Sequence, residues 1–235
     1  MALGSPDRSA GTGPLVEGLL LCDKPAGITS HDLVLQVRRA FGKGVKVGHA
    51  GTLDPFATGL LVMLVGRATK YQELVMHQPK RYLVTARFGA RSTTGDTEGE
   101  ITETGLLPAD QLELPLGTIR QRPPAYSAVK IGGKRAYKLA RAGIEVEMPE
   151  REVMIFRFEE TARRPELAER DYLIECSSGT YVRSLIADLG DAYCTALRRT
   201  RIGPFDVAEA CREPDPERLL PLAEGLDLLG HDGRR

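Results

Sequence analysis

The sequence predicts a mixed α/β or α+β fold built around one curved, largely antiparallel sheet. The first observation behind this prediction is that strand-like segments alternate along the chain with segments of helical spacing. The second is the run Leu60 to Val65, which is apolar throughout, ends at Gly66 and is typical of a buried strand. The third is composition: 235 residues, 42% hydrophobic and 27% charged, can bury the core of one large domain or two small ones.

The first half of the chain carries clear boundary signals. Thr29 or Ser30 can cap the helix that follows, and Asp32 then stands near the positive end of that helix. The apolar run reads as a strand, but a short apolar run does not by itself exclude a buried helix. The predicted elements are a strand at 15–22, a helix at 31–41, a strand at 60–65, a helix at 68–77 and a strand at 80–88.

The second half is less regular. A turn-rich loop is predicted at 92–100, where Asp96 is expected to act as a turn former. Three arginines fall in the segment 197–205, which reads as a strand edge or a loop. The remaining predictions are a weak helix at 108–114, a helix at 134–142, strands at 145–160 and 171–176 with a charged loop between them at 161–170, and a helix at 180–192.

The charge distribution, rather than the net charge, points to a nucleic acid. Lys plus Arg and Asp plus Glu both number 32, so the net charge is zero. Between Arg120 and Gly143, however, lie seven basic residues and no acidic one. Most charge runs are solvated faces, but Tyr126 and Tyr137 add stacking surfaces to this one. The segment is therefore a candidate for binding phosphates.

Other function classes find little support. The four cysteines are scattered, which argues against a zinc site and favours a reducing compartment. The chain has no glycine-rich phosphate loop and no dinucleotide-binding fingerprint. No apolar run approaches the ~20 residues that span a membrane, and the N-terminus lacks an apolar signal core. We expect no metal, no membrane association and a cytoplasmic protein with a disordered tail at 1–14.

One acid stands out by its position. Asp54 lies in a glycine-studded loop, and Pro55 biases its backbone toward an extended conformation. The loop runs directly into the apolar run at 60–65, which would hold a catalytic group rigidly. Taken alone, the stretch also fits a simple turn residue before proline.

Four stretches resemble the tRNA pseudouridine synthase B family, in the order in which that family carries them. They are Asp23–Asp32, Gly48–Leu61, Gln121–Lys130 and Ser178–Ser184, and the resemblance runs from about Glu17 to about Phe205. It implies the α+β pseudouridine synthase fold, with a mainly antiparallel mixed sheet flanked by helices and an active-site cleft across the sheet. It also implies an isomerase that converts uridine 55 in the T arm of tRNA to pseudouridine without a cofactor.

The resemblance assigns the catalytic residues. Asp54 matches the catalytic aspartate, and whether it attacks the sugar, adds to the base or removes a sugar proton stays open. Arg183 is its expected partner, and an Asp–Arg pair should keep the acid ionised and lower its pKa; an ordinary exposed arginine early in a helix is the alternative. Tyr82 matches the tyrosine that stacks on the target uracil, where simple packing is the alternative.

Further residues are expected to bind the substrate. By the same resemblance, His49 contacts the flipped-out nucleotides, Tyr181 lines the uracil pocket, and Leu197 touches the bound uridine through its apolar side chain. Lys70 resembles a lysine near the cleft whose role we do not assign. His31 reads as a helix-start residue rather than a catalytic one.

Residues 120–145 match a family insertion called the thumb, which closes over the T loop. Its expected RNA-binding residues are Arg122, Lys130, Lys134, Arg135, Lys138 and Arg141. The resemblance implies a catalytic domain at 15–205 and a short C-terminal extension at 206–235. Only 32 residues follow Gly203, too few for the C-terminal PUA domain that many bacterial members carry. We therefore expect a T-arm hairpin to be nearly as good a substrate as whole tRNA.

Three other functions compete with this prediction. A non-catalytic RNA-binding protein or tRNA-folding chaperone would keep the thumb but would not need Asp54, Tyr82 and Arg183 together. A glycoside hydrolase generally needs a second acid within ~5–10 Å of the first, and no other acid lies in a comparable motif. The same chemistry on another RNA, within a guide-RNA particle, is the third. We expect a stand-alone monomer with no obligate protein partner.

Overall fold

The computed structural model describes residues 16–124, 126–127, 129–144 and 148–230. The expected tail at 1–14 lies outside the described residues. For six positions of the thumb the structure describes the backbone but not the side chains, and these are Lys130, Lys134, Arg135, Tyr137, Lys138 and Arg141.

Strands and short helices alternate along the described chain. The first half contains β1 (Gly18–Lys24), α1 (Ser30–Phe41), β2 (Val47–Ala50), β3 (Thr58–Val65), a 3₁₀ helix (Gly66–Tyr71), α2 (Gln72–Met76), β4 (Lys80–Phe88), β5 (Ala90–Ser92), β6 (Ile101–Glu103) and β7 (Gly117–Gln121). The second half contains β8 (Lys130–Ile131), β9 (Lys134–Arg135), α3 (Ala136–Arg141), β10 (Arg151–Arg164), β11 (Glu169–Cys176), α4 (Val182–Ala187), β12 (Ala192–Ile202), β13 (Phe205–Asp206), β14 (Leu220–Pro221) and α5 (Leu222–Leu228), with 3₁₀ helices at Pro165–Leu167, Val207–Glu209 and Pro216–Arg218.

Ten strands of the described chain form one mixed sheet. Eight of them run in the order β14-β1-β3-β12-β4-β11-β10-β7, while β2 pairs with β3 and β13 pairs with β12. Every pairing in this sheet is antiparallel except that of β3 with β12. The expected α+β fold with a mainly antiparallel mixed sheet is therefore confirmed.

The parallel pair β3–β12 brings the two halves of the sheet together next to the Asp54 loop. Its register places Arg198 beside Thr58 and Arg199 beside Gly59. Gly59 has φ +105°, and a Cβ at this position would lie 2.2 Å from the carbonyl oxygen of Arg199. Only glycine combines this backbone conformation with so close an approach.

The apolar run of β3 is buried on both of its faces. Leu61, Met63 and Val65 pack in one cluster beneath α1. The alternate residues, Leu60, Val62 and Leu64, pack in a second cluster with residues of β12 and the segment after β3. Because both faces are covered, the strand needs no polar alternation, and the prediction of a strand rather than a helix is confirmed.

Local signals predicted α1 correctly. Thr29 is its N-cap, and its hydroxyl accepts a hydrogen bond from the backbone N–H of Asp32. The Asp32 carboxylate accepts in return from the backbone N–H of Thr29, which completes a capping box. The strand predicted at 80–88 is also confirmed, since β4 covers the same residues.

Other boundary predictions were wrong. The weak helix at 108–114 is irregular chain in the structure. The segment 161–170 was expected to be a loop, but β10 continues to Arg164 and β11 begins at Glu169. Its charges lie on paired strands, where Arg164 forms ion pairs with Glu169 at 3.0 Å and with Asp171 at 2.6 Å. Cross-strand ion pairs therefore stabilise a hairpin that looked like a solvated loop.

Two further predictions needed correction near the site. The helix expected at 180–192 is the six-residue α4, because the chain turns after it to enter β12. The segment expected at 197–205 to be a strand edge or loop lies largely in β12, a central strand between β3 and β4. The three arginines suggested an exposed segment, but Arg199 is buried and its guanidinium donates hydrogen bonds to backbone carbonyls.

Candidate active site

Asp54 lies in the irregular segment between β2 and β3, and a buried lysine holds the residue that follows it. Lys24, at the end of β1, is completely buried. Its ammonium donates hydrogen bonds to the carbonyl oxygens of Pro25 and Ile28 at 2.8 Å and of Pro55 at 3.2 Å. The backbone N–H of Gly27 also donates to Pro55, at 2.9 Å. The first matched stretch of the sequence therefore supports the loop from below.

Two more side chains fix the same loop. The hydroxyl of Ser30 accepts from the backbone N–H of Leu53 at 2.9 Å and donates to the Leu53 carbonyl at 3.0 Å. Arg199 donates to the carbonyl oxygens of Gly51 at 3.0 Å and Leu60 at 2.8 Å. The sequence offered Ser30 as a possible helix cap and gave Arg199 no individual role, so neither contact with the Asp54 loop was predicted.

A buried ion-pair network orients the Asp54 carboxylate. Arg183 is only 4% exposed, and its guanidinium lies 2.9 Å from Asp54 and 3.1 Å from Asp96. It also donates to the carbonyl oxygen of Thr94 and, at 3.0 Å, to that of Tyr126. The guanidinium thus uses its fork of donors on two acids and two backbone oxygens. The Asp54–Arg183 pair predicted from the sequence is present, and the alternative of an exposed helix arginine is wrong for Arg183.

Asp96 is a site residue that sequence reasoning missed. We expected a turn former, and its carboxylate does accept from the backbone N–H of Glu98 at 2.9 Å. It is, however, 2% exposed and pairs with Arg183. Gly95 and Asp96 are typical turn residues, and nothing in the sequence relates this loop to α4. The pairing of Asp96 with Arg183 could therefore not be predicted.

The pKa of Asp54 is raised overall, although Arg183 lowers it as expected. Burial is the largest cause, since it disfavours the charged carboxylate. The guanidinium of Arg183 lowers the pKa, but the nearby negative charge of Asp96 raises it again. The sequence therefore predicted the direction of the Arg183 effect correctly, but it could not show that burial, together with the charge of Asp96, outweighs that effect.

Tyr82 and Leu197 lie on neighbouring strands and pack in the cluster that also contains Leu53 of the Asp54 loop. Tyr82 is 8% exposed and Leu197 is 7% exposed. Burial raises the pKa of the Tyr82 phenol, while Arg199 opposes that rise. Both side chains thus lie in the apolar cluster against which the Asp54 loop packs through Leu53.

Tyr181 stands immediately before α4 and is its N-cap residue. Its ring lies beneath the guanidinium of Arg151, whose central carbon is 4.7 Å from the ring centre. Arg183 follows Tyr181 by two positions on the same segment.

The remaining predicted substrate contacts differ in their surroundings. His49 lies half-buried in β2, and its Nδ1 has no hydrogen-bond partner among the described residues. Burial lowers the pKa of His49, as do the charges of Arg199 and His31. Lys70 is exposed in the 3₁₀ helix after β3, and the described residues give it no ion pair with the Asp54 loop. The structure thus does not bring Lys70 into the network.

Of the six predicted thumb residues, only Arg122 has a described side chain. It is exposed and forms an ion pair with Glu150 at 3.2 Å. The side chains of Lys130, Lys134, Arg135, Lys138 and Arg141 lie outside the description, although the backbone forms the hairpin β8–β9 followed by α3. Within the described ranges, no group of three or more His, Cys, Asp or Glu could hold a metal, and no helix is long and apolar enough to cross a membrane.

The sequence of the site belongs to a known family. Residues 38–182, which include the Asp54 loop, Tyr82, Asp96 and Tyr181, match the TruB family pseudouridylate synthase (N terminal domain). The chain belongs to the TruB family of pseudouridylate synthases. The resemblance drawn from four short stretches is thereby confirmed.

Curated relatives match most of this chain. Proteins named tRNA pseudouridine synthase B from Mycobacterium bovis and Corynebacterium aurimucosum are both 46% identical over 92% of this chain, and the match covers 76% and 78% of those proteins. The protein of that name from Nocardia farcinica is 47% identical over 97% of this chain and 85% of its own length.

Solved structures share the fold. A chain of a Cbf5-Nop10-Gar1 complex superposes with a TM-score of 0.61 and 27% identity, over 85% of this chain and 57% of that chain. A chain of an H/ACA RNP bound to a substrate RNA containing 2′-deoxyuridine gives a TM-score of 0.58 at 24% identity, over 87% of this chain and 58% of that one, and shows likeness of fold alone.

Proposed function

We propose that this protein isomerises uridine to pseudouridine at position 55 in the T arm of tRNA, without a cofactor and with Asp54 as the catalytic acid residue. The observation that carries the proposal is the buried Arg183, which lies 2.9 Å from the Asp54 carboxylate at a loop fastened by three other side chains. The shared name of the curated relatives, tRNA pseudouridine synthase B, supports the substrate class.

The reaction breaks the N1–C1′ bond of uridine and joins C5 to C1′, so the base leaves and rejoins the same sugar. The hydrogen on C5 is lost to solvent and N1 gains one, and no electrons are transferred to another molecule. Asp54 would act next to C1′, held in one orientation by Arg183. Tyr82 and Leu197 would hold the free uracil, Tyr181 would line the same pocket, and His49 would contact the flipped-out nucleotides.

The target base is stacked inside the folded T loop, so it must leave the stack before Asp54 can reach C1′. Extrusion costs a few kcal/mol, and RNA loops are bound through shape, phosphate contacts and stacked bases. The thumb at 120–145 offers its cations for that purpose, while residues 15–205 form the catalytic domain. We place the reaction in the cytoplasm and expect a monomer that needs no protein partner and has no membrane association.

The competing functions fit the site less well. An RNA chaperone would need the basic thumb but not a carboxylate held by a buried arginine. A hydrolase with paired carboxylates needs both acids to reach the bond that is cleaved. Asp96 is the second acid near Asp54, but it is 2% exposed and engaged with Arg183. The pair is therefore better suited to orienting one acid than to using two.

Tritium release tests the proposal directly. T-arm RNA transcribed with 5-tritiated uridine should release tritium with the native protein and not with Asp54→Ala, while the exposed-acid control Asp227→Ala should match the native rate. Inactivity of all three proteins that still bind the RNA would favour the chaperone. Release by Asp54→Ala at the native rate would show that Asp54 is not the catalytic acid residue.

A further inference from the structure

Gln121, the last residue of β7, has a buried side chain that sequence reasoning left without a role. It is 1% exposed and lies in the third matched stretch. Its side-chain oxygen accepts from the backbone N–H of Tyr181 at 2.7 Å, and its nitrogen donates to the Tyr181 carbonyl at 2.9 Å. One amide thus satisfies both backbone groups of the residue that begins the segment carrying Arg183.

Arg151, on the neighbouring strand, also contacts Tyr181. Arg151 is the direct partner of Gln121 in the antiparallel register of β7 and β10, so both side chains leave the same face of the sheet. The Arg151 guanidinium stacks on the Tyr181 ring, and its Nε and Nη2 are buried without a hydrogen-bond partner in the part of the chain that the structure describes. Among the described residues, the contact recorded for this guanidinium is its stacking on Tyr181.

The same contact joins the base of the thumb to the catalytic network. Beyond Gln121, the carbonyl of Arg122 accepts from the Ser184 hydroxyl at 3.3 Å, and the carbonyl of Tyr126 accepts from Arg183 at 3.0 Å. These contacts tie Gln121, Arg122 and Tyr126 to the segment 181–184, and the amide of Gln121 supplies the two shortest of them.

The helix that carries Arg183 receives part of its support from Gln121. α4 has only six residues, and the side chain of its N-cap residue, Tyr181, makes no capping hydrogen bond. The first N–H groups of a helix need partners from outside it, and Gln121 supplies one to the N-cap residue. Burial of Val182, Leu185 and Ile186 also holds this short helix against the sheet, and the Gln121 amide adds the contact that fixes the backbone position of its first residue.

We propose that Gln121 is a positioning residue for the reaction, setting the place of the Tyr181–Arg183 segment relative to Asp54 and joining it to the thumb. This inference rests on the proposed function. It predicts that loss of the amide slows the isomerisation step while RNA binding changes little, because the thumb cations remain while the guanidinium that orients Asp54 shifts.

Single-turnover rates and dissociation constants for T-arm RNA separate these effects. Gln121→Leu keeps the volume but removes both hydrogen bonds, and we expect its single-turnover rate to fall roughly tenfold or more. Its dissociation constant should stay within about threefold of the native value. The matched control is Gln78→Leu, because the side-chain amide of Gln78 donates to the Leu74 carbonyl of α2 rather than to the segment that carries Arg183. The control should leave rate and affinity unchanged.

Gln121→Glu provides a readout that a merely structural role would not move. An ionised carboxylate can still accept from the Tyr181 N–H, but its second oxygen would face the Tyr181 carbonyl without a proton. Protonation restores a donor at that oxygen, and burial should raise the pKa of the new glutamate. The rate of Gln121→Glu, divided by the native rate at the same pH, should therefore rise as the pH is lowered from about 8 to about 6.

Three outcomes would overturn the inference. They are a native rate for Gln121→Leu, equal losses of rate and affinity in that variant, and a pH-independent ratio for Gln121→Glu. If Gln121→Leu does not fold, the pH profile of Gln121→Glu decides. The native protein is assayed first, because its inactivity would remove the proposed function and this inference together, whereas an active native protein with unaffected variants would remove the inference alone.

Discussion

The ammonium of Lys24 lies 3.2 Å from the carbonyl oxygen of Pro55, so a fully buried cation at the end of β1 holds the residue next to Asp54. Burial lowers the pKa of Lys24 to about 8, and the charge of Asp54 is the largest effect opposing it. At neutral pH the lysine therefore stays charged and keeps its donors on three backbone oxygens. The loop that carries Asp54 is built on this contact.

Replacement of this cation should weaken both fold and catalysis. In Lys24→Met, the carbonyls of Pro25 and Ile28 lose a buried donor, so we expect the free energy of unfolding to fall by about 1–3 kcal/mol. The loosened loop should slow tritium release roughly tenfold. Denaturant unfolding and single-turnover assays measure the two effects. Lys43→Met, at an exposed turn, should change neither, and a native rate in Lys24→Met would contradict the role of Lys24 in the loop.

The pH dependence of the reaction should report the network around Asp54. Catalysis needs the carboxylate, and because the pKa of Asp54 is raised, activity should be lost on acidification at a higher pH than for an ordinary aspartate. Asp96→Asn removes a negative charge that raises this pKa, so the acidic limb should move to lower pH. The rate on the plateau should fall, since Arg183 loses a partner. Rate profiles between about pH 4 and about pH 8 test the shift, and a limb that stays or moves upward would refute it.

We expect that lysine at position 183 cannot perform the role of the buried arginine. Arg183 reaches Asp54, Asp96 and two carbonyl oxygens with one planar fork, whereas an ammonium is a single point of charge. We expect Arg183→Lys to lose on the order of 100-fold in single-turnover rate, with RNA affinity little changed. Arg212→Lys, at an exposed position, serves as the control. A loss below about threefold would show that charge alone is sufficient at this position.

Because β3 and β12 approach closely at Gly59, we expect that this position does not tolerate a side chain. In Gly59→Ala, the new Cβ would lie 2.2 Å from the Arg199 carbonyl oxygen at φ +105°, so we expect a loss of at least about 2 kcal/mol in the free energy of unfolding. Gly48→Ala is the matched control, because its nearest neighbour is a Thr69 methyl at 3.8 Å. Equal stability of the two variants, measured by thermal or denaturant unfolding, would be inconsistent with the strand pairing described here.

The proposed thumb should bind RNA through its charges. Each phosphate contact that a protein makes with single-stranded RNA steepens the fall of log affinity with log salt by about 0.7, so loss of one contact makes the fall shallower by that amount. We therefore expect Lys138→Ala to bind T-arm RNA more weakly at low salt and with that smaller slope, while Lys43→Ala binds as the native protein does. An unchanged slope for Lys138→Ala would mean that this lysine makes no phosphate contact.

Some of the fold could be predicted from short stretches, because the forces that decide it act over a few residues. Thr29 and Asp32 form the capping box of α1 within one turn. The apolar run of β3 and the alternation of β4 likewise carry their own structure. By contrast, the strand at 161–164 could not be recognised, because its ion pairs form only when Arg164 meets Asp171 on the returning strand.

Some features of the site could likewise be predicted from the sequence, whereas others appear only in the tertiary structure. The sequence by itself determined the family, the Asp54 loop and the pairing of Asp54 with Arg183, because these residues lie in stretches that are recognisable on their own. Only the tertiary structure decided that Asp96 shares the guanidinium, that Lys24 and Arg199 carry the loop, and that the pKa of Asp54 is raised. The physical reason is that burial and electrostatic coupling depend on distances between segments far apart in the chain, and those distances exist only once the sheet has brought the segments together.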